Sequence, residues 1–134
     1  LLTRELLLQS ADLPRELVDL RPHVDGSVWV RTMTGAERDR FEADNTRITG
    51  SGKHRKIEPA LSNYRARLAV LVCCDGTGKQ LFSEDDAAVL GQQSAAALDR
   101  IVDVAHRLNG MREDAVEDLV GNSATTPSAS STSA

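Results

Sequence analysis

Aromatic side chains are scarce in this chain of 134 residues, where one Trp, one Tyr and two Phe make up 3% of the sequence. A core with so few large anchors must be built from Leu, Val, Ile and Ala, which predicts modest stability. Long apolar runs are missing as well. None reaches the roughly 18 residues that a membrane-spanning helix requires, and the N-terminal leucines are interrupted by Thr3, Arg4 and Glu5. That pattern predicts a soluble, cytoplasmic protein. Cysteine is confined to the adjacent pair Cys73 and Cys74, so the loop-closing staple of small secreted domains is lacking. Their apolar neighbours predict buried, reduced thiols of low reactivity. Positive charge is in deficit: 16 Lys plus Arg stand against 20 Asp plus Glu, a net charge of −4. This balance opposes broad capture of nucleic acid or of an anionic membrane.

What remains is ordinary globular material, 40% hydrophobic and 27% charged, enough for one domain. That domain is expected over residues 1–122. Residues 123–134 are nearly all Ser, Thr, Ala and Pro and bury too little apolar surface to offset ordering, so they read as a disordered tail. Period-two spacing appears at Glu16–Arg21 and Ser27–Met33, joined through Asp25-Gly26, and predicts an N-terminal β-hairpin. Helical signals dominate elsewhere, giving an α+β expectation: a mainly helical single domain carrying a short hairpin.

A weak helix is expected over Thr3–Gln9. Thr34 and Glu37 have capping-box spacing, which starts a largely charged helix running from Ala36 to about Arg47 with Phe41 as its single large apolar residue. Thr49–Lys56, rich in Gly and like charges, reads as a mobile loop. Ile57, Leu61, Tyr64, Leu68 and Leu71 recur at spacings of four and three, with Pro59 in a first turn, and predict the central helix. From Leu68 to Cys74 the chain is apolar on every side, which fits a buried helix or a strand equally. Ser83 with the acids Glu84–Asp86 caps a short helix. Ser94 opens the clearest amphipathic segment, closed by Asn109-Gly110, and a last short helix is expected over Glu113–Val120. The predicted core is Val18, Val28, Val30, Leu61, Leu68, Leu71, Leu98, Ile101, Val102, Ala105 and Leu108.

Few constellations carry chemistry. His23, His54 and His106 fall in a turn, a loop and an exposed helix face without a second ligand at useful spacing, so no metal site is expected. Gly50-Ser-Gly52-Lys53-His54 lacks both the first glycine of a phosphate loop, where Arg47 stands, and the magnesium-binding hydroxyl, where His54 stands. No cofactor is expected. Asp85 and Asp86 are explained by the helix dipole without acid-base catalysis, and the chain reads as a non-enzyme. Lys53–Lys56 has no interleaved aromatic for base stacking and reads as a solvated loop. The stripe Asp99, Arg100, Asp103, His106 and Arg107 is read in two ways, as a partner-binding surface or as a solvated helix face with an Asp103–Arg107 pair.

In order, Val28–Phe41 (with Thr34-Gly-Ala-Glu37), Arg67–Gly76, Gly78–Phe82 and Ser94–Gly110 resemble the tail assembly chaperones of long-tailed, siphovirus-type bacteriophages. The resemblance spans residues 16–122. Met33 occupies the apolar position before Thr34-Gly35, a mild departure. The resemblance implies a factor of the host bacterial cytoplasm that coats the tape measure protein, keeps it soluble, recruits major tail protein for tube polymerisation and is absent from the mature virion. It further implies programmed minus-one frameshifting, with this chain as the short product and a frameshift-extended form of itself as another partner. Whether the chain pairs with itself as a homo-oligomer is left open by the sequence. Val120-Gly121-Asn122 can be encoded as GTG-GGA-AAC, which contains a slippery heptamer of the form X-XXY-YYZ, and the same residues also suit a helix C-cap. The alternative to this family is a small nucleic-acid-binding or regulatory domain that uses the basic segment 53–56.

Overall fold

The computed structural model describes residues 1–9 and 12–111. The expected helix over Glu113–Val120, the tail 123–134 and the codon positions Val120, Gly121 and Asn122 lie outside them. The described chain is a mixed helix-and-strand fold, in the order α1 (Arg4–Leu8), β1 (Arg15–Asp19), β2 (Ser27–Arg31), α2 (Gly35–Asp44), β3 (Thr46–Thr49), β4 (Lys56–Pro59), α3 (Tyr64–Val72), β5 (Cys73–Cys74), α4 (Ala87–Leu90) and α5 (Ala95–Leu108). None of its helices is long and apolar enough to cross a membrane.

β1 and β2 form the antiparallel hairpin that alternation predicts, with Leu17 opposite Trp29 and Val18 opposite Val28. β5 adds to β2 on the far side, so one sheet has the order β1-β2-β5. Its core face carries Val18, Val30 and Cys73, onto which α5 packs, with α3 against α5. α5 buries Leu98, Ile101, Val102 and Ala105 of the stripe read from its sequence, and Ala97 and His106 besides. Of the other expected core residues, Val18, Val30 and Leu68 are buried, while Val28, Leu71 and Leu108 are half-buried against the cluster. α2 starts on its capping box: Glu37 N–H donates to Thr34 Oγ1 at 3.1 Å and Thr34 N–H to Glu37 Oε1 at 2.9 Å. Phe41 is the residue by which this charged helix is anchored, its ring 5.3 Å from that of Tyr64.

Two expectations are corrected. Thr49–Lys56 is the tip of a second β-hairpin, in which Ile48 pairs with Ile57 and Arg47 with Glu58. The central helix accordingly begins at Tyr64, so Ile57 and Pro59 belong to β4 and Leu61 to the connection. Asn63, at φ 55°, turns the chain into α3. The open alternative at Leu68–Cys74 resolves into both forms, because α3 runs through Val72 and passes without a linker into β5.

Candidate partner-binding surfaces

α2, α3 and α4 line an open cleft with a volume of about 330 Å³. Phe41, Val70, Leu71 and Ala87 form its apolar lining, and Glu37, Arg40, Asp44, Arg67 and Glu84 its charged rim. Arg40 Nη2 reaches Glu84 Oε1 at 3.0 Å, linking α2 to the 3₁₀ turn Glu84–Asp86 that precedes α4. Arg67 is fixed from the other side. Its guanidinium donates to Asn45 Oδ1 at 2.8 Å, Ser62 O at 3.0 Å and Ala60 O at 3.2 Å, and lies over the Phe41 ring. Burial lowers the pKa of this guanidinium, against the opposing pull of Asp44. The opposite wall is positioned by Asn63, whose Nδ2 donates to Ala87 O at 2.8 Å. Gly91 leaves room for that contact, since a Cβ there would collide with the Asn63 amide. Phe41 and Val70 are each only 3% exposed and form the floor, so the half-buried Leu71 and Ala87 supply most of the apolar surface that the cleft presents between charges of both signs.

The α5 stripe is largely engaged within the fold. Asp99 pairs with Arg65 on α3, Arg100 Nη1 donates to Asp19 O at 3.0 Å, and Arg107 pairs with Glu16 on β1 rather than with Asp103. Asp103 is exposed. His106 corrects the expectation of an exposed imidazole. It is 4% exposed, and its Nε2 lies 2.9 Å from Tyr64 Oη, which joins the end of α5 to the start of α3.

The basic segment sits at an arm's tip. Lys53, His54 and Arg55, beyond the β3–β4 ladder, and Lys56, on its last rung, are all exposed, and the cross-strand partners Ile48 and Ile57 are 57% and 68% exposed. Gly50, at φ +76°, makes the tip possible, because a Cβ there would overlap the His54 carbonyl. The three histidines lie apart, and among the described residues no group of three or more His, Cys, Asp or Glu could hold a metal ion.

Cys73 and Cys74 are free and buried. Desolvation pushes the Cys73 thiol up to about 12 and also raises Cys74, where Arg31 and Arg15 act in the opposite sense. The thiolate is the reactive form. Iodoacetamide at neutral pH is therefore expected to leave Cys73 unmodified in the folded protein and to alkylate it once urea is added. Rapid labelling of Cys73 without denaturant, read by peptide mass spectrometry, would contradict this burial.

In the sequence Phe41 and Leu71 stand singly, and no local pattern gathers them into a cleft. The one available signal was Phe41, a lone aromatic on a charged helix. No family model matches the chain, and comparison with curated proteins and with solved structures returns no match.

Proposed function

We propose that this chain is a tail assembly chaperone of a long-tailed bacteriophage, which binds the tape measure protein in the host cytoplasm and keeps it soluble. It then helps recruit major tail protein to the growing tube and departs before the virion is complete. The observation that best supports this reading is the cleft between α2, α3 and α4, with its apolar lining and its rim of both charge signs. An amphipathic helix docks by placing side chains of one face into such a groove while its flanking charges meet the rim. A tape measure protein, long and helical, offers that pattern repeatedly. Masking apolar side chains in this way needs neither nucleotide nor metal, and the frameshift-extended form would carry the same cleft.

Co-expression tests the proposal. The wild-type chain is expected to keep its cognate tape measure protein in the soluble fraction without added nucleotide or metal. Ala87→Glu places a charge in the lining at the first turn of α4, where an acid suits the helix dipole, so the variant should fold yet fail to solubilise. A tape measure protein that stays equally soluble with this variant, or that precipitates with the wild type, refutes the cleft reading.

The second reading, a nucleic-acid-binding or regulatory domain, is favoured by the exposed basic tip beside Ile48 and Ile57. It requires duplex binding that weakens steeply as salt rises. Replacing Lys53, Arg55 and Lys56 by alanine should abolish that binding, while leaving tape measure solubility unchanged if the cleft is the working surface.

A further inference from the structure

β1 is the edge of its sheet among the described residues, and the phase of its ladder shows what that edge offers. Leu20 N–H donates to Gly26 O and Thr32 N–H to Pro14 O, both at 2.9 Å, at the two ends of the β1–β2 register. Hydrogen-bonded pairs alternate along an antiparallel ladder, so Glu16 and Val18 turn their peptide groups toward β2. Arg15, Leu17 and Asp19 turn theirs outward. Native proteins usually blunt such an edge with proline, bulges or inward charges. Here Leu17 is 53% exposed in its middle, directly opposite Trp29 across the hairpin.

We propose that two copies of this chain join along β1, antiparallel about a twofold axis through Leu17, with Arg15 and Asp19 selecting the register. In that alignment Leu17 faces Leu17 of the second copy, and Arg15 faces the second copy's Asp19 at each end. These are the three positions whose peptide groups point outward, so each pair exchanges both backbone hydrogen bonds. One lone pair of the Asp19 carbonyl already accepts from Arg100, and the other remains for the strand. The outer face gains an unbroken row of Trp29, Leu17 and their two symmetry mates, while α5 stays on the opposite face. Because Asp19 also meets Arg21 through exposed contacts, its carboxylate can turn toward the incoming Arg15 without disturbing the core.

Competing alignments place like charges opposite one another, which disfavours them. Parallel pairing sets Arg15 against Arg15 and Glu16 against Glu16. An antiparallel register centred on Glu16 opposes the two glutamates, and one centred on Val18 brings Arg15 against Arg21. The twofold through Leu17 avoids each of these, and it gives the closed, self-complementary interface that limits assembly to a dimer.

The test is sedimentation velocity of the full chain across a concentration series. The wild type is expected to show a monomer–dimer equilibrium that shifts to monomer on dilution. Arg15→Asp alone sets two aspartates face to face at both ends, and Asp19→Arg alone sets two arginines face to face, so each should weaken dimerisation about tenfold or more. An equimolar mixture of the two variants restores both opposite-charge pairs and should recover the dimer as a heterodimer. Misfolding of either variant cannot produce that rescue. A wild type that stays monomeric at its highest soluble concentration, single variants that dimerise as well as wild type, or a mixture that stays monomeric would each overturn the proposal.

Discussion

Replacing Glu37 by alanine is expected to lower the free energy of unfolding by about 3–5 kcal/mol, because it strands a buried guanidinium. Arg31 is 5% exposed, and its two terminal nitrogens donate to the Glu37 carboxylate at 3.0 and 2.9 Å. Thr32 O accepts a further bond at 3.0 Å, whereas Nε has no hydrogen-bond partner among the described residues. Without Glu37 the charge keeps one neutral acceptor, and α2 loses half its capping box as well. Removing both charges with Arg31→Met and Glu37→Ala should recover most of the loss, since an apolar replacement has no buried charge to satisfy. The same pair sets an acid limit. Burial pushes the Glu37 carboxyl up, but the Arg31 hydrogen bonds and the Thr34 amide outweigh it and hold it below its ordinary value. Its contribution is therefore complete above the ordinary glutamate pKa and is lost as the pH falls through the lowered one. Urea denaturation at neutral and acidic pH measures both effects. A loss under about 1 kcal/mol for Glu37→Ala at neutral pH would mean that the pair contributes as little as an exposed one.

Leu68→Ala should cost about 2–5 kcal/mol, a large part of the roughly 5–15 kcal/mol that a domain of this size possesses. Leu68 is fully buried in the cluster with Val30, Val72, Leu98, Ile101 and Ala105, where α3 packs against α5. With few aromatics to shift into the void, the remaining side chains are short and three of the five, Val30, Val72 and Ile101, are stiff at Cβ, so a cavity at this position fills poorly. Leu71, one turn further along α3, is half-buried in the cleft. Its alanine variant should lose less stability and, on the function proposed above, impair tape measure solubility more. Similar denaturation midpoints for the two variants would show that Leu68 does not occupy the structural centre.

The elements legible in the sequence are those whose signal is local and repeated. Alternation through Val18, Val28 and Val30 gave the hairpin, Thr34 and Glu37 gave the start of α2, and Leu98 to Ala105 gave the buried face of α5. The second hairpin was obscured because its strands are four residues each and lie half-exposed, with Ile57 falling by chance in helical spacing with Leu61 and Tyr64. Nothing near Asn63 announced that a left-handed residue would start the helix there. His106 was misplaced for a different reason. It lies four residues beyond Val102 on the buried face, where the distant hydroxyl of Tyr64 meets the imidazole. The cleft depends on three helices meeting, which no single segment records.

The position of β5 has a consequence for synthesis. The sheet's third strand is supplied by Cys73 and Cys74, more than forty residues after β2, with α2, the β3–β4 arm and α3 made in between. While the chain emerges from the ribosome, β2 is thus an open edge like β1. Its Trp29 and Val30 are left without the strand that later pairs with them. Closing so long a loop is slow compared with forming a hairpin or a helix. The nascent protein therefore passes through an interval with two adhesive strand edges, and it leaves that interval only when α3 has folded and carried β5 into place.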